Sequence, residues 1–156
     1  MEEVTPDPSG TDVVIDAVLA DRPDAVATLE EARQAAWAAT DRRLLELTRL
    51  RIAQLLDCGA ELDARTPGVD LGAATAADVA SWPASDALDD RDRAALAYCE
   101  QWVVDVAGMS DELVAPLRAA LGDDGLSTFT NAMMVVEQRM RLRQTWERLG
   151  LTGATS

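Results

Sequence analysis

Glu46, Cys58, Glu61 and Arg65 fall close enough together in this chain to act on one small molecule. A thiol flanked by carboxylates and a guanidinium suits nucleophilic or acid–base chemistry, provided that the thiol ionises. Its sequence neighbours argue against that. Asp57, Glu61 and Asp63 are acidic and only Arg65 is cationic, and negative charge raises a thiol's pKa, so Cys58 is expected to be unreactive. Another chemistry is open to the same residues: the Arg65 fork grips both oxygens of a planar anion while Glu46 or Glu61 moves a proton. The plain alternative is a solvated helix pair. Glu61 and Arg65 stand four apart in the favourable acid-first order, worth roughly 0.2–0.5 kcal/mol. Glu46 likewise has Arg42, Arg43 and Arg49 at helical spacing, the pattern of an ion-pair stripe.

Composition narrows the chemistry further. The 156 residues include 28 acidic and 14 basic side chains, for a net charge of −14, and every basic residue is Arg. Such a surface repels nucleic acid. With no His, the commonest general base and the commonest zinc ligand are both missing. Cys58 and Cys99 show neither a zinc pattern nor a disulfide framework, so no metal and no cofactor is expected, and a bridge between them stays open because it depends on their distance in space. Cys99, beside Tyr98 and Trp102, reads as a core residue. Trp37, Trp82, Trp102 and Trp146 read as core or interface. No apolar run approaches the roughly 20 residues that span a bilayer. The acidic opening MEEVTPDPSGTD lacks the basic and apolar regions of a secretory signal, and the expected location is the cytoplasm. Arg in place of Lys, with abundant Ala, suggests a GC-rich bacterial genome.

These residues must be positioned by helices. A polar tail is expected over 1–11, then a short helix capped by Thr11 or Asp12. Pro23 opens another helix, with Val26, Leu29 and Ala36 on one side. Thr40 or Asp41 caps RRLLELTRLRIAQLLD, whose leucines leave a narrow polar stripe and predict a largely buried helix. The stretch 66–90 is the one long irregular region, with a capping turn at 75–78; loops of this length are often functional. Asp89 caps a helix that stops at Gly108, and Ser110 caps the next, with a bend expected at Pro116. The last helix starts near Asp124 and carries Leu126, Phe129, Met133, Val136 and Met140 at spacings of three and four. No alternating strand pattern occurs. The fold class is all-α, with six or seven helices in a single domain over 12–151.

The spacing from Glu46 through Cys58 to positions 61 and 65 resembles the Glu-x11-Cys-x2-Cys-x3-His signature of the alkylhydroperoxidase D and carboxymuconolactone decarboxylase family. LLELTRLRIAQLLDC is similar to that family's motif helix. LDDRDRAALAYCEQWVVDVAGMSDELVAPLRAAL resembles its next segment, and TFTNAMMVVEQRMRLRQTWERLGL its closing helix. The likeness runs over roughly 25–151 and implies the family's helical fold. It also implies that Glu46 matches a proton-relay glutamate and Cys58 the first cysteine. Glu61 stands where the attacking thiol would be, and Arg65 where the histidine would be. Neither the dithiol peroxidase chemistry nor the histidine-dependent decarboxylase chemistry carries over intact.

Two readings follow. One is a divergent non-redox catalyst acting on a small organic acid or lactone-like molecule. Glu46, Cys58 and Glu61 would be its catalytic candidates and Arg65 its substrate anchor, in a pocket lined by Cys58, an apolar helix face and the 66–88 loop. The other is a non-catalytic binding protein or subunit, in a homo-oligomer or beside a homologue. The many apolar positions on the helices at 41–57 and 124–150 need partners beyond one small domain, which points to assembly. Burial is the feature that separates the two readings.

Overall fold

The computed structural model describes residues 11–151. The expected tail lies outside them except at Thr11, where the first helix begins. Among the described residues the secondary structure is entirely helical: α1 (Thr11–Val18), α2 (Pro23–Ala39), α3 (Arg42–Leu55), α4 (Gly59–Asp63), α5 (Ala76–Ala80), α6 (Asp90–Asp105) and α7 (Asp111–Arg148), with short 3-10 turns at Trp82–Ala84 and Val106–Gly108. The all-α expectation holds. None of these helices is long and apolar enough to cross a membrane.

The helix starts follow from local chemistry. The Asp41 carboxylate accepts the Leu44 N–H at 3.1 Å, Pro23 occupies the first turn of α2, and the Ser110 hydroxyl accepts the Leu113 N–H. Reciprocal capping boxes form at Thr75/Asp78 and Asp89/Asp92. Each satisfies N–H groups that a helix start leaves without partners.

α3 is the central element. Nine of its residues are buried, including every position over 44–50, as expected of a helix enclosed on all sides. It packs on α6 and α7, and α2 lies along α7. The main core joins Leu44, Leu45 and Ile52 of α3, Tyr98 and Cys99 of α6, and Phe129, Met133 and Met140 of α7. The chain itself therefore covers the apolar face of α3, and that face gives no reason for assembly.

Three sequence expectations change. The long region after Arg65 is not an open loop: Ala74, Val79 and Leu88 pack onto Leu47, Leu50 and Leu96 in a second apolar cluster. Pro116 lies inside α7 and is not the bend; the break comes at Gly122, with φ 73° and ψ 173°, a conformation open to glycine because it has no Cβ. Third, the Glu61–Arg65 stretch is not helical throughout, and α3 ends well before it, at Leu55. Asp57 takes φ 54°, and the Cys58 N–H turns back to the Ala53 carbonyl at 2.8 Å, closing the helix in a Schellman-type turn. Cys58 then stands at the start of the separate α4.

Of the four tryptophans only Trp37 is buried. Trp82 and Trp102 are half-buried, and their indole N–H groups donate to Glu100 and Glu137 at 2.9 and 3.0 Å.

Candidate functional site

The break after α3 turns α4 back against α3, and this sets the site. Glu46 and Arg49 lie three apart on α3, so their side chains share a face. Arg49 grips the Glu46 carboxylate with two parallel bonds, Nε to Oε2 at 2.8 Å and Nη2 to Oε1 at 2.7 Å. Its Nη1 donates to Glu61 twice, to Oε2 at 2.9 Å and to the main-chain oxygen at 2.6 Å. Nη2 also reaches the Ala64 carbonyl at 3.0 Å. These five bonds match the five N–H donors of a guanidinium. The Thr66 hydroxyl closes the arrangement by donating to Glu46 Oε2 at 2.6 Å. Glu46, Arg49 and Glu61 are 1%, 5% and 5% exposed, so this is a buried triad and not a surface stripe. It straps residues 61–66 onto α3.

The electrostatics follow from the geometry. Burial alone would push the Glu46 carboxyl up, but the bidentate Arg49 guanidinium and the Thr66 hydroxyl more than offset it, holding Glu46 below the usual carboxylate range. A carboxylate whose folded pKa is depressed adds stability that is present above its unfolded pKa and lost as pH falls through the folded value. A tenfold weaker hold on the proton corresponds to about 1.4 kcal/mol. Glu46→Gln should therefore flatten the acid limb of the stability curve below about pH 4.5, the ordinary glutamate value. The measurement is urea unfolding from about pH 3 to pH 7, a range that brackets the acid limb; identical slopes for wild type and variant would remove Glu46 from the acid response.

Beside the triad lies a cavity of about 40 Å³, open on one side. At roughly 10–15 Å³ per water position, it has room for about three waters, or for the three heavy atoms of a carboxylate group. Among the described residues, Arg33, Arg49, Arg65 and Arg139 line it, with Glu61 as the one acidic residue and Trp37, Val136 and Met140 among the apolar ones. Arg33 bonds Glu30, and Arg139 donates to the Leu29 carbonyl and stands 4.0 Å from Glu30. Arg143, behind Glu61, pairs with Glu147 at 2.9 Å. In a chain of net charge −14, a lining with four arginines and one acidic residue is a specific feature.

The four sequence candidates are placed differently from one another. Glu46 and Glu61 meet, through Arg49. Arg65 lines the mouth of the cavity, but it is exposed and donates to the carbonyls of Leu62 and Ala64. The helical Glu61–Arg65 spacing does not form, because α4 ends at Asp63 and Ala64 is extended. Of the three arginines at helical spacing from Glu46, Arg49 pairs with it, whereas Arg42 donates to the Pro67 carbonyl and Arg43 pairs with Asp92 at 2.8 Å. Cys58 is buried and does not line the cavity, and of the 66–88 region only Thr66 does. Helical spacing offers Arg49 only as a stripe partner of Glu46. Its place in the run Leu47, Thr48, Leu50, Ile52 is the signal that marks a buried cation in need of counter-charges. Arg33 and Thr66 carry no comparable signal.

Both thiols are held towards their neutral form. Burial pushes the Cys58 thiol up, opposed by the backbone N–H of Glu61 and reinforced by the Glu61 charge. Burial pushes Cys99 up much further. Both cysteines are free, and the Cys99 thiol donates to the Thr48 carbonyl. Among the described residues no group of three metal-binding side chains occurs. Comparison with protein-family models and with curated proteins gives no match to this chain.

Proposed function

We propose that this chain binds a small organic acid in the cavity between α2, α3, α4 and α7, and that it works without thiol redox chemistry. The observation that carries this reading is the arginine-rich lining of a carboxylate-sized cavity. Arg65 meets the ligand at the mouth. Arg49, locked by Glu46 and Glu61, is a rigid part of the lining, with no ordering cost left at the moment of binding. Trp37, Val136 and Met140 receive the apolar part of the ligand. Glu61 is the group that could move a proton if the ligand is turned over. The resemblance of LLELTRLRIAQLLDC and the later segments to the alkylhydroperoxidase D and carboxymuconolactone decarboxylase family supports a divergent relative of that family. A second reading, a binding protein without turnover, is favoured by the full occupancy of Arg49's donors by protein acceptors.

The test is thermal unfolding with acetate, propionate and benzoate, each against a chloride-matched control. A ligand at about a hundredfold excess over Kd adds about 2.7 kcal/mol, a rise of several degrees in Tm. Arg65→Ala should raise Kd about tenfold or more, yet leave unliganded stability within about 0.5 kcal/mol, as for other surface substitutions. A flat response to every carboxylate would overturn the reading. In the same preparations, hydroperoxide consumption with a dithiol reductant should equal that of Cys58→Ala; a rate clearly above it would restore a redox role.

A further inference from the structure

We infer a second anion site, separate from the arginine-lined cavity: the groove between the end of α3 and the last turns of α7 takes a small organic phosphate monoester. The groove has a volume of about 380 Å³, within the roughly 300–1,000 Å³ usual for small-molecule sites.

Leu55 and Leu56, at the end of α3, are its apolar lining, and Arg141, Gln144, Thr145 and Arg148 of α7 are its polar lining. Arg141, Thr145 and Arg148 follow one another at four and three positions, so they share a face of the helix. None of the described residues that line the groove is acidic, in a chain with 28 acidic residues to 14 basic ones. Gln144 ties the two helices together, its amide donating to the Leu56 carbonyl at 2.6 Å.

Arg141 is held ready for a ligand. Its Nε and Nη2 both approach Glu137 Oε1 at 2.8 Å. Glu137 is 6% exposed, and its other oxygen accepts the Trp102 indole N–H at 3.0 Å. A buried carboxylate, itself anchored from α6, therefore fixes the guanidinium and lowers the ordering cost of binding. The Arg141 side chain is still 45% exposed, and its Nη1 has no acceptor among the described residues. Arg148 has no hydrogen bond or ion pair among them either; the acid beside it in sequence, Glu147, is engaged by Arg143 at 2.9 Å. Two guanidiniums and the Thr145 hydroxyl thus offer three donor groups along one face. A phosphate monoester brings three terminal oxygens and a charge of about −1.5 to −2 at pH 7, which the two cations match. A carboxylate brings only two oxygens and a single charge. Leu55 and Leu56 receive the organic part.

The experiment is calorimetric titration with phenyl phosphate, with benzoate and phenol as comparison ligands, on wild type, Arg148→Gln and Arg118→Gln. Arg148 and Arg118 are both exposed, so these variants test binding and not folding. Wild type should bind phenyl phosphate and not phenol. Arg148→Gln should weaken phenyl phosphate roughly tenfold or more, the worth of a hydrogen bond between charged groups, and leave benzoate unchanged. Arg118→Gln removes the same charge beyond the Gly122 break, with roughly 28 Å of helix between that break and Arg141. It should change affinity less than about twofold, because salt screens charges at that range. No binding of phenyl phosphate, no loss for Arg148→Gln, or an equal loss for Arg148→Gln and Arg118→Gln overturns the site. An equal loss for benzoate and phenyl phosphate overturns the phosphate assignment. Neither variant changes a residue that lines the arginine-rich cavity, so each site can fail without the other.

Discussion

Arg49→Met should destabilise the protein by about 3–5 kcal/mol, the range for removing one partner from a buried ion pair. Arg49 makes five hydrogen bonds, to Glu46, to the side chain and backbone of Glu61, and to Ala64. Methionine fills much of the same volume and supplies none of them. Two carboxylates that are 1% and 5% exposed would then face each other without this cation, and two carbonyls would lose a donor. Domains are stable by only about 5–15 kcal/mol in total, so the variant should sit near the edge of folding. In urea the midpoint should fall by on the order of 2 M. The triple change Glu46→Gln, Arg49→Met, Glu61→Gln should recover much of the loss, because those three charges leave together and none of them is stranded. A loss below about 1 kcal/mol, the range of exposed pairs, would mean that the triad is solvated, and the cavity would lose its rigid wall.

The second large effect lies in the core that holds α7 against the site. Phe129 is fully buried, with its ring centroid 6.4 Å from that of Tyr98. Phe129→Ala should cost about 3–5 kcal/mol, from lost transfer free energy and from the cavity left behind. For a chain of this size that lowers Tm by about 10 °C or more. Phe129→Leu should lose much less, since it keeps most of the volume. Calorimetry on both variants separates these outcomes. A change of only one or two degrees for Phe129→Ala would mean that the second arm of α7 is not seated in the core. Arg139 rides on that arm and lines the cavity, so carboxylate affinity should weaken along with stability.

The helical class, and where several helices begin, could be read from the residues alone. The caps at Asp41, Thr75, Asp89 and Ser110 are contacts between residues three apart, and the geometry of such contacts depends on few neighbours. The spacing of Phe129, Met133, Val136 and Met140 likewise marks the buried face of the last helix, because one helical period sets it. Glu46 and Glu61 also stand out in the sequence, but spacing matches Glu61 to Arg65. That pairing assumes helix through Arg65, and α4 ends at Asp63 with Ala64 extended.

Which cation serves which carboxylate is a matter of packing. Folding α4 back onto α3 puts Arg49 between one acid three positions before it and another twelve positions after it, and puts Thr66 on Glu46 across 20 positions. It also brings Arg143, far along the chain on α7, to 3.8 Å from Glu61. The physical reason is that a surface charge needs no particular partner, because water screens and solvates it, whereas a buried charge must have one. Which charges are buried, and beside which others, depends on how the helices pack.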